Sequence, residues 1–260
     1  MRSIRSYLKQ HSLFRNLYAI SKTSKEFFRF KPISFIQKFV WYFGQLDKFN
    51  KLPKNELFRE LEYYPCLFDN LDYTPIDPIY FFQDCWAAKH IFEMKPAHHY
   101  DIGSSVKTMG IISQFVPVTI VDIRPIELEL PNLFFIKGSI LELPFNDNSI
   151  ESLSSLCVVE HIGLGRYGDS LDSFGSEKAI KELRRVLKVG GVLLFSVPVD
   201  RANKIYFNAH RAFTREYILE QFDGFEILDE KYIYGTKMYD NYDPKKGFGT
   251  GLFKLKKRRS

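Results

Sequence analysis

The chain has 260 residues, of which 45% are hydrophobic and 26% are charged. These proportions are typical of a globular protein and exclude a mainly disordered chain, and the length accommodates one large domain with an appendage. The three cysteines, Cys66, Cys85 and Cys157, follow no metal-ligand spacing. This pattern predicts a reduced, cytoplasmic protein without a structural metal.

The net charge of +6 is unevenly distributed along the chain. Residues 1–50 carry ten basic and two acidic side chains, residues 244–260 carry seven basic and none acidic, and the middle is acidic. This argues against a nucleic-acid groove through the fold. The basic ends either contact an anionic surface, such as phospholipid headgroups at the inner membrane face, or are simply solvated. Residues 1–25 form either a basic arm or an organelle address.

The most apolar segment, Ile33 to Leu46, is interrupted by Gln37 and Lys38 and is too short to span a membrane. Its aromatic residues face several sides, so the segment is either a buried helix or one lying in a membrane interface. We expect burial.

Residues 1–79 are predicted to be helical, basic and aromatic, ending in a connector that contains Pro75 and Pro78. From residue 80 to 255, helical periodicity alternates with short apolar runs, and residues 256–260 form a basic tail. The predicted helices span residues 80–94, 105–115, 176–187 and 214–222. The predicted strands span residues 98–102, 118–122, 133–137, 150–158, 192–197, 225–234 and 250–255.

This alternation predicts a doubly wound α/β domain with a mostly parallel sheet, whose ligands bind at the carboxyl ends of the strands. Two predicted strands end in an acid, Asp101 and Asp122. After Asp101, Gly103 allows a ligand to approach the backbone, and small residues including Ser105 open a helix. Asp122 stands where a carboxylate accepts ribose hydroxyls. The turn Lys188 to Gly191 is predicted to cap a helix.

The ordered series of DIGSS, the acid Asp122, the loop leading to ELPF and the turn RRVLKVGG resembles the class I S-adenosylmethionine-dependent methyltransferases. The resemblance covers about 160 residues and implies a seven-stranded Rossmann-like sheet with a helical N-terminal extension. It also implies S-adenosyl-L-methionine as the cofactor. The implied cofactor-binding residues are Asp101, Gly103, Ser105, Asp122, Ile123, Ser139 and Ile140.

The chain departs from this pattern at two places. Ser105 and Lys107 replace the second and third glycines of the loop, so Lys107 is expected to point outward. Ser139 stands where many of these enzymes have an acid that recognises the adenine amino group.

A narrower resemblance lies in VEHIGLGRYGD, residues 159–169, with FNAHR downstream. These segments are similar to a methyltransferase-like family of unknown function first named from nematode proteins, whose bacterial members often occur with surface-polysaccharide genes. The resemblance implies the fold and this gene neighbourhood, and no established reaction. Together with the polar residues of the loop, the neighbourhood predicts O-methylation of a sugar or glycoconjugate in surface polysaccharide synthesis. The charge distribution predicts that there is no nucleic-acid partner.

Methyl transfer to a hydroxyl benefits from a base near the end of the fourth strand. His161 is the first candidate, because its ordinary pKa lies near neutrality, and Glu160 and Asp169 are the others. Each could instead have a structural role: a hydrogen bond in a turn for His161, a helix end or the cofactor's amino group for Glu160, and pairing with Arg166 for Asp169. The candidate substrate-binding residues are Arg166, Tyr167, Asn208, His210 and Arg211.

Two other functions fit the same residues. A non-catalytic binding or scaffold protein would keep the fold, and Lys107 and Ser139 favour it. An enzyme using a nucleotide-sugar or NAD on a similar sheet is the third hypothesis, against which the order of the segments counts.

Overall fold

The computed structural model describes residues 32–58, 60–124 and 126–259. The chain passes from one compact unit to a second between Pro75 and Ile76. The basic arm or organelle address predicted for residues 1–25 lies outside the described residues.

In the first unit, the regular structure among the described residues is helix α1, Pro32–Asn50. Phe35 stacks on Phe68 with 6.3 Å between ring centroids. Ile36, Val40 and Phe43 are exposed. The expected burial of this segment is therefore wrong for these three side chains, because the helix presents apolar groups on more sides than the rest of its unit covers. Across the described residues, every helix is too short or too polar to cross a membrane.

The second unit contains four helices and ten strands among its described residues. The helices are α2 (Pro78–Met94), α3 (Val106–Ile112), α4 (Gly175–Val186) and α5 (Arg215–Gln221). The first five strands are β1 (His99–Ile102), β2 (Val118–Asp122), β3 (Leu133–Lys137), β4 (Ile150–Leu156) and β5 (Leu187–Val199). The others are β6 (Lys204–Tyr206), β7 (His210–Ala212), β8 (Phe225–Tyr234), β9 (Lys237–Tyr239) and β10 (Gly249–Lys257). Single 3-10 turns cover Val159–His161 and Pro244–Lys246.

Eight strands form one sheet in the order β3-β2-β1-β4-β5-β10-β8-β9. The first five are parallel, and β10 pairs antiparallel with both β5 and β8. This is the predicted doubly wound, mostly parallel sheet, with β9 as a short eighth strand at the edge. Strands β6 and β7 form a separate hairpin. Because β1 lies beside both β2 and β4, the order of the strands reverses there, and a crevice opens at the carboxyl ends of these three strands.

The central strands of the sheet are buried on both faces, as their apolar sequences predict. Residues of α4 and α5, including Leu183 and Ile218, join the core on one face. Residues of α2 and α3, including Trp86 and Met109, join the core on the other. The parallel strand ends are therefore held between two helical layers.

The Lys188 to Gly191 segment was predicted to cap α4, but it does not, because β5 begins directly at Leu187. Ile150 pairs with Leu187 and Ser152 with Val192, so the intervening residues of β5 form a bulge. Gly190 has a φ of +81°. A Cβ on Gly191 would lie 2.9 to 3.0 Å from three backbone carbonyl oxygens. The glycines are thus required by the bulge.

Candidate functional site

A cavity opens at the carboxyl ends of β1, β2, β3 and β4. Its lining combines five of the seven predicted cofactor-binding residues with three residues predicted to act on the substrate. The lining residues are Ile102, Gly103, Val121, Asp122, Ile123, Arg124, Gly138, Ser139, Ile140, Leu141, Cys157, Val158, His161, Ile162, Tyr167 and Asp169. The cavity therefore lies at the edge of the sheet where the sequence predicts ligand binding.

The glycine loop after β1 forms one wall of the cavity. Gly103 has a φ of +71°, and a Cβ at this position would lie 3.1 Å from Cγ1 of Val158. Ser105 caps α3 by accepting a hydrogen bond from the Thr108 N–H. Lys107 is exposed and does not line the cavity, in agreement with its predicted outward orientation. The glycine thus leaves room for a ligand beside the loop, and the serine caps the helix that follows it.

Asp101 binds the backbone of this loop and does not line the cavity. It is fully buried, and its carboxylate accepts hydrogen bonds from the Ser104 N–H, over 3.0 Å, and from the Ser154 hydroxyl. Burial raises the pKa of Asp101 to about 6, against the lowering effect of these hydrogen bonds. The structure therefore places Asp101 as a support of the loop backbone.

Asp122, at the end of β2, is engaged by its neighbour Arg124. Its Oδ1 accepts from the Arg124 backbone N–H over 2.8 Å and from Nε over 3.2 Å, and its Oδ2 accepts from Nη2 over 3.1 Å. A carboxylate oxygen has about two acceptor sites, so Oδ1 is filled while Oδ2 has one site left. Both hydroxyls of a ribose could bind only if the guanidinium moved, which its large exposure permits.

Ile123, Ser139 and Ile140 line the cavity beside Asp122. The Ser139 hydroxyl oxygen accepts from the Leu141 N–H over 3.2 Å and keeps a second acceptor site. This oxygen can accept a hydrogen bond from an amino group, so serine can serve where related proteins have an acid.

His161 and Glu160 lie in the 3-10 turn that follows β4. His161 lines the cavity, and its Nδ1 lies 2.6 Å from the carbonyl oxygen of Ala209. Donation to this carbonyl places the proton on Nδ1 and leaves Nε2 as an acceptor. Burial lowers the pKa of His161 to about 4, although the bond to Ala209 acts in the other direction. The ring is therefore neutral at pH 7, whereas the ordinary pKa of a histidine lies near neutrality.

Glu160 is buried behind His161 and does not line the cavity. Among the described residues, its Oε2 has no hydrogen-bond partner. Burial raises the pKa of Glu160 to about 8. Its Oε1 lies 3.7 Å from Nε2 of His161, so at pH 7 this contact joins a protonated carboxyl and a neutral imidazole.

Tyr167 lines the cavity, and its ring contacts two arginines. The guanidinium carbons of Arg124 and Arg166 lie 4.9 Å and 5.2 Å from the centroid of its ring. Asp169 accepts from the backbone N–H groups of Gly163, over 2.7 Å, and Tyr167, over 3.2 Å. Burial acts to raise the pKa of Asp169, but the backbone donors hold it below its usual value. Asp169 thus organises the loop that carries Tyr167, and does not pair with Arg166 in the structure.

The other predicted substrate-binding residues lie on the β6–β7 hairpin, outside the cavity lining. Asn208 is exposed, and His210 packs against Tyr206 with 5.0 Å between ring centroids. Arg211 is buried, and it donates to the carbonyl oxygens of Ile162 and Asp172 as well as to nearby serine groups. These internal acceptors occupy its guanidinium, so Arg211 braces the loop after β4.

Sequence reasoning missed Arg124 and Cys157. Arg124 could have been found from its spacing, because a long cation two residues after an acid at a strand end can fold back onto it. Cys157 lines the cavity while its Sγ lies 3.0 Å from the side-chain oxygen of Gln83 on α2. That contact joins residues 74 positions apart, and no local pattern signals it.

Residues 144–243 match a family described as "Caenorhabditis protein of unknown function, DUF268". A protein of Encephalitozoon cuniculi (strain GB-M1), provisionally assigned as a methyltransferase, is 39% identical over 62 residues. That match spans 24% of this chain and 26% of the relative.

Solved structures resemble the chain more broadly. The N-methyltransferase NodS from Bradyrhizobium japonicum WM9, in complex with S-adenosyl-L-homocysteine, matches 75% of this chain and 92% of its own. The TM-score is 0.52 at 12% identity. The [4+2]-cyclase SpnF matches 68% of this chain and 81% of its own, with a TM-score of 0.50 at 16% identity. With the strand order and the cavity at the strand ends, these likenesses identify the fold of the chain as that of the class I S-adenosylmethionine-dependent methyltransferases.

Proposed function

We propose that the protein is a methyltransferase that binds S-adenosyl-L-methionine in the cavity beside Gly103 and Asp122. The observation that carries the proposal is the convergence of an open glycine loop, a strand-end carboxylate and the Ser139 hydroxyl on one cavity within a methyltransferase fold. Bound there, the cofactor would supply an activated methyl group on a sulfonium.

The hydrogen-bond acceptors and apolar side chains of the cavity fit this cofactor. Asp122 can accept ribose hydroxyls once Arg124 withdraws, and Ser139 can accept from the adenine amino group. Ile123 and Ile140 offer apolar surface to the base. Within the part of the chain that the structure describes, Glu160 keeps an unpartnered buried oxygen near the same site. Because methyl transfer from a sulfonium needs mainly alignment, the chief task of these residues is to hold the two reactants in line.

His161 is the proposed proton acceptor for a hydroxyl substrate. Its Nδ1 is held by Ala209, so Nε2 is the atom that receives the proton. The pKa of about 4 makes the ring a weak base. Once Glu160 has released its own proton to solvent, its carboxylate would stabilise the imidazolium that forms when Nε2 takes the proton of the substrate hydroxyl.

The proposed acceptor is a sugar or glycoconjugate used in surface polysaccharide synthesis. The support is the chemistry of the covering loop, where Tyr167 and the two arginines stacked on it offer an aromatic face and cationic donors to a polar substrate. We further propose a cytoplasmic location, with the basic ends of the chain in peripheral contact with an anionic membrane.

One observation favours a second function, that of a binding or scaffold protein which transfers no methyl group. Arg124 already satisfies most of the acceptor sites of Asp122, as it would if the site no longer received a ribose. This alternative predicts a folded protein without affinity for the cofactor.

Calorimetric titration with S-adenosylmethionine and S-adenosylhomocysteine separates the two functions. One-site binding by the wild-type chain is expected, with at least tenfold weaker binding by Asp122→Ala. Glu129→Ala is the matched control, because Glu129 is exposed on the connection that follows Asp122 and does not line the cavity. Absence of binding by the folded wild-type chain would favour the scaffold function. Full affinity in Asp122→Ala would overturn the assignment of the site.

A further inference from the structure

The β6–β7 hairpin ends in apolar side chains that the described part of the chain leaves uncovered. Phe207, in the turn, is 75% exposed, and Ile205, on β6, is 60% exposed. Phe248 lies beside the hairpin, with its ring 5.3 Å from that of His210 and 6.0 Å from that of Tyr206. Neighbouring exposed apolar groups on a folded surface are typical of a site of contact with another phase or molecule.

Cationic side chains surround these apolar groups. Arg201, Lys204 and Lys245 line a groove at the base of the hairpin, and Lys246 follows on the adjacent 3-10 turn. Two acids pair with these cations: Asp200, whose Oδ2 lies 2.5 Å from Nζ of Lys204, and Asp243, whose Oδ2 lies 3.9 Å from Nζ of Lys246. Four cations against two acids leave the surface net positive. We call these seven cationic and apolar residues the aromatic–basic surface: Arg201, Lys204, Ile205, Phe207, Lys245, Lys246 and Phe248.

This surface is tied to the candidate active site through one backbone carbonyl. Ala209, in the turn of the hairpin, accepts from Nδ1 of His161 over 2.6 Å and from Nη1 of Arg166 over 2.9 Å. His161 lines the cavity, so a body that contacts the hairpin tip would approach the cavity as well.

We propose that the aromatic–basic surface docks the protein on an anionic lipid bilayer, with Phe207 and Ile205 in the headgroup region and the four cations facing acidic headgroups. Apolar side chains that enter the interface and cations that attract acidic lipids together give reversible peripheral binding. A protein docked in this way holds its cavity towards the membrane, where it can receive an acceptor carried by a lipid.

The test uses the full chain with vesicles of phosphatidylcholine containing roughly 30% phosphatidylserine, and with neutral phosphatidylcholine vesicles. The wild type is expected to sediment with the anionic vesicles only. The double variant Ile205→Ser/Phe207→Ser should bind at least tenfold more weakly, and removal of each cation should weaken binding by about fivefold. Leu128→Ser is the matched control, since Leu128 is also 75% exposed and lies outside this surface.

A local readout separates the hairpin from the basic ends of the chain. Phe207→Trp adds a fluorophore at the tip, and Leu128→Trp adds one elsewhere. In difference spectra against the wild type, only the tryptophan at position 207 should shift to the blue on anionic vesicles and be quenched by brominated lipid. Binding without that shift, or equal binding by the double variant, would overturn the proposal.

Two other outcomes would also overturn it. A fall in melting temperature of the vesicle-free double variant, beyond that of Leu128→Ser, would show that another part of the chain covers the hairpin. Self-association of the wild type that the double variant abolishes would assign the surface to a second copy of the chain.

Discussion

The Ile76–Ser260 unit is expected to lose stability as the pH rises from about 6 to about 9. Replacing Glu160 with glutamine should remove most of that loss. Burial raises the pKa of Glu160 from 4.5 to about 8, so the folded state holds the proton more tightly than the unfolded state. The resulting stability is fully present below pH 4.5 and is lost as the pH rises to about 8. Between pH 6 and 9 the loss amounts to about 2 to 3 kcal/mol.

Urea denaturation at the two pH values measures this difference. The chain has two tryptophans, Trp41 and Trp86, and only Trp86 belongs to the second unit. In a Trp41→Phe background, the fluorescence of Trp86 therefore reports the unfolding of that unit. The Glu160→Gln variant should lose about 2 kcal/mol less than the unsubstituted background on going from pH 6 to pH 9.

Glu127→Gln is the control for loss of a carboxylate, because Glu127 is exposed. This variant should follow the pH dependence of the background. Parallel curves for Glu160→Gln and the background would show that Glu160 titrates at an ordinary pKa. That result would refute the inference that burial keeps it protonated beside His161.

Three further predictions concern other parts of the second unit. Arg124→Ala should bind S-adenosylhomocysteine up to about fivefold more tightly by calorimetry, because the ion pair of Arg124 with Asp122 no longer competes with the ligand. An exposed ion pair of this kind is worth at most about 1 kcal/mol. Weaker binding would show that the guanidinium contacts the ligand. Arg211→Met should lower the free energy of unfolding, measured in urea, by roughly 3 kcal/mol, because buried carbonyl groups lose their hydrogen-bond donor. An unchanged urea midpoint would contradict the structural role of Arg211. His161→Ala should keep the affinity for the cofactor but lower turnover about 100-fold with any acceptor that the wild type methylates; an unchanged rate would give His161 a structural role only.

The sheet was largely predictable because its strands are short apolar runs, and the central ones are buried on both faces. The predicted bounds of 118–122 and 133–137 coincide with β2 and β3, whose apolar runs end at polar residues. The bulge in β5 was not predictable in the same way. A Gly-Gly pair after a helix is typical of a cap, and only the pairing of β4 with β5 shows that the glycines serve the strand instead.

The candidate site was predictable in its location more than in the roles of its side chains. The end of a strand places Asp122 in the cavity, because parallel strands end at one edge. Whether Arg211 faces a substrate or the protein interior depends on acceptors around residues 162–176, far from it along the chain. The low pKa of His161 likewise follows from burial by distant residues, which sequence spacing does not encode.

The central claim is that the cavity beside Asp122 receives S-adenosylmethionine. A crystal structure of the protein grown with S-adenosylhomocysteine tests it most directly. We predict that the ribose hydroxyls lie within hydrogen-bond distance of Asp122, that the Arg124 guanidinium has left this carboxylate, and that the adenine lies between Ile123 and Ile140. Clear density for a ribose elsewhere, or an Asp122–Arg124 pair unchanged at saturating ligand, would contradict the account.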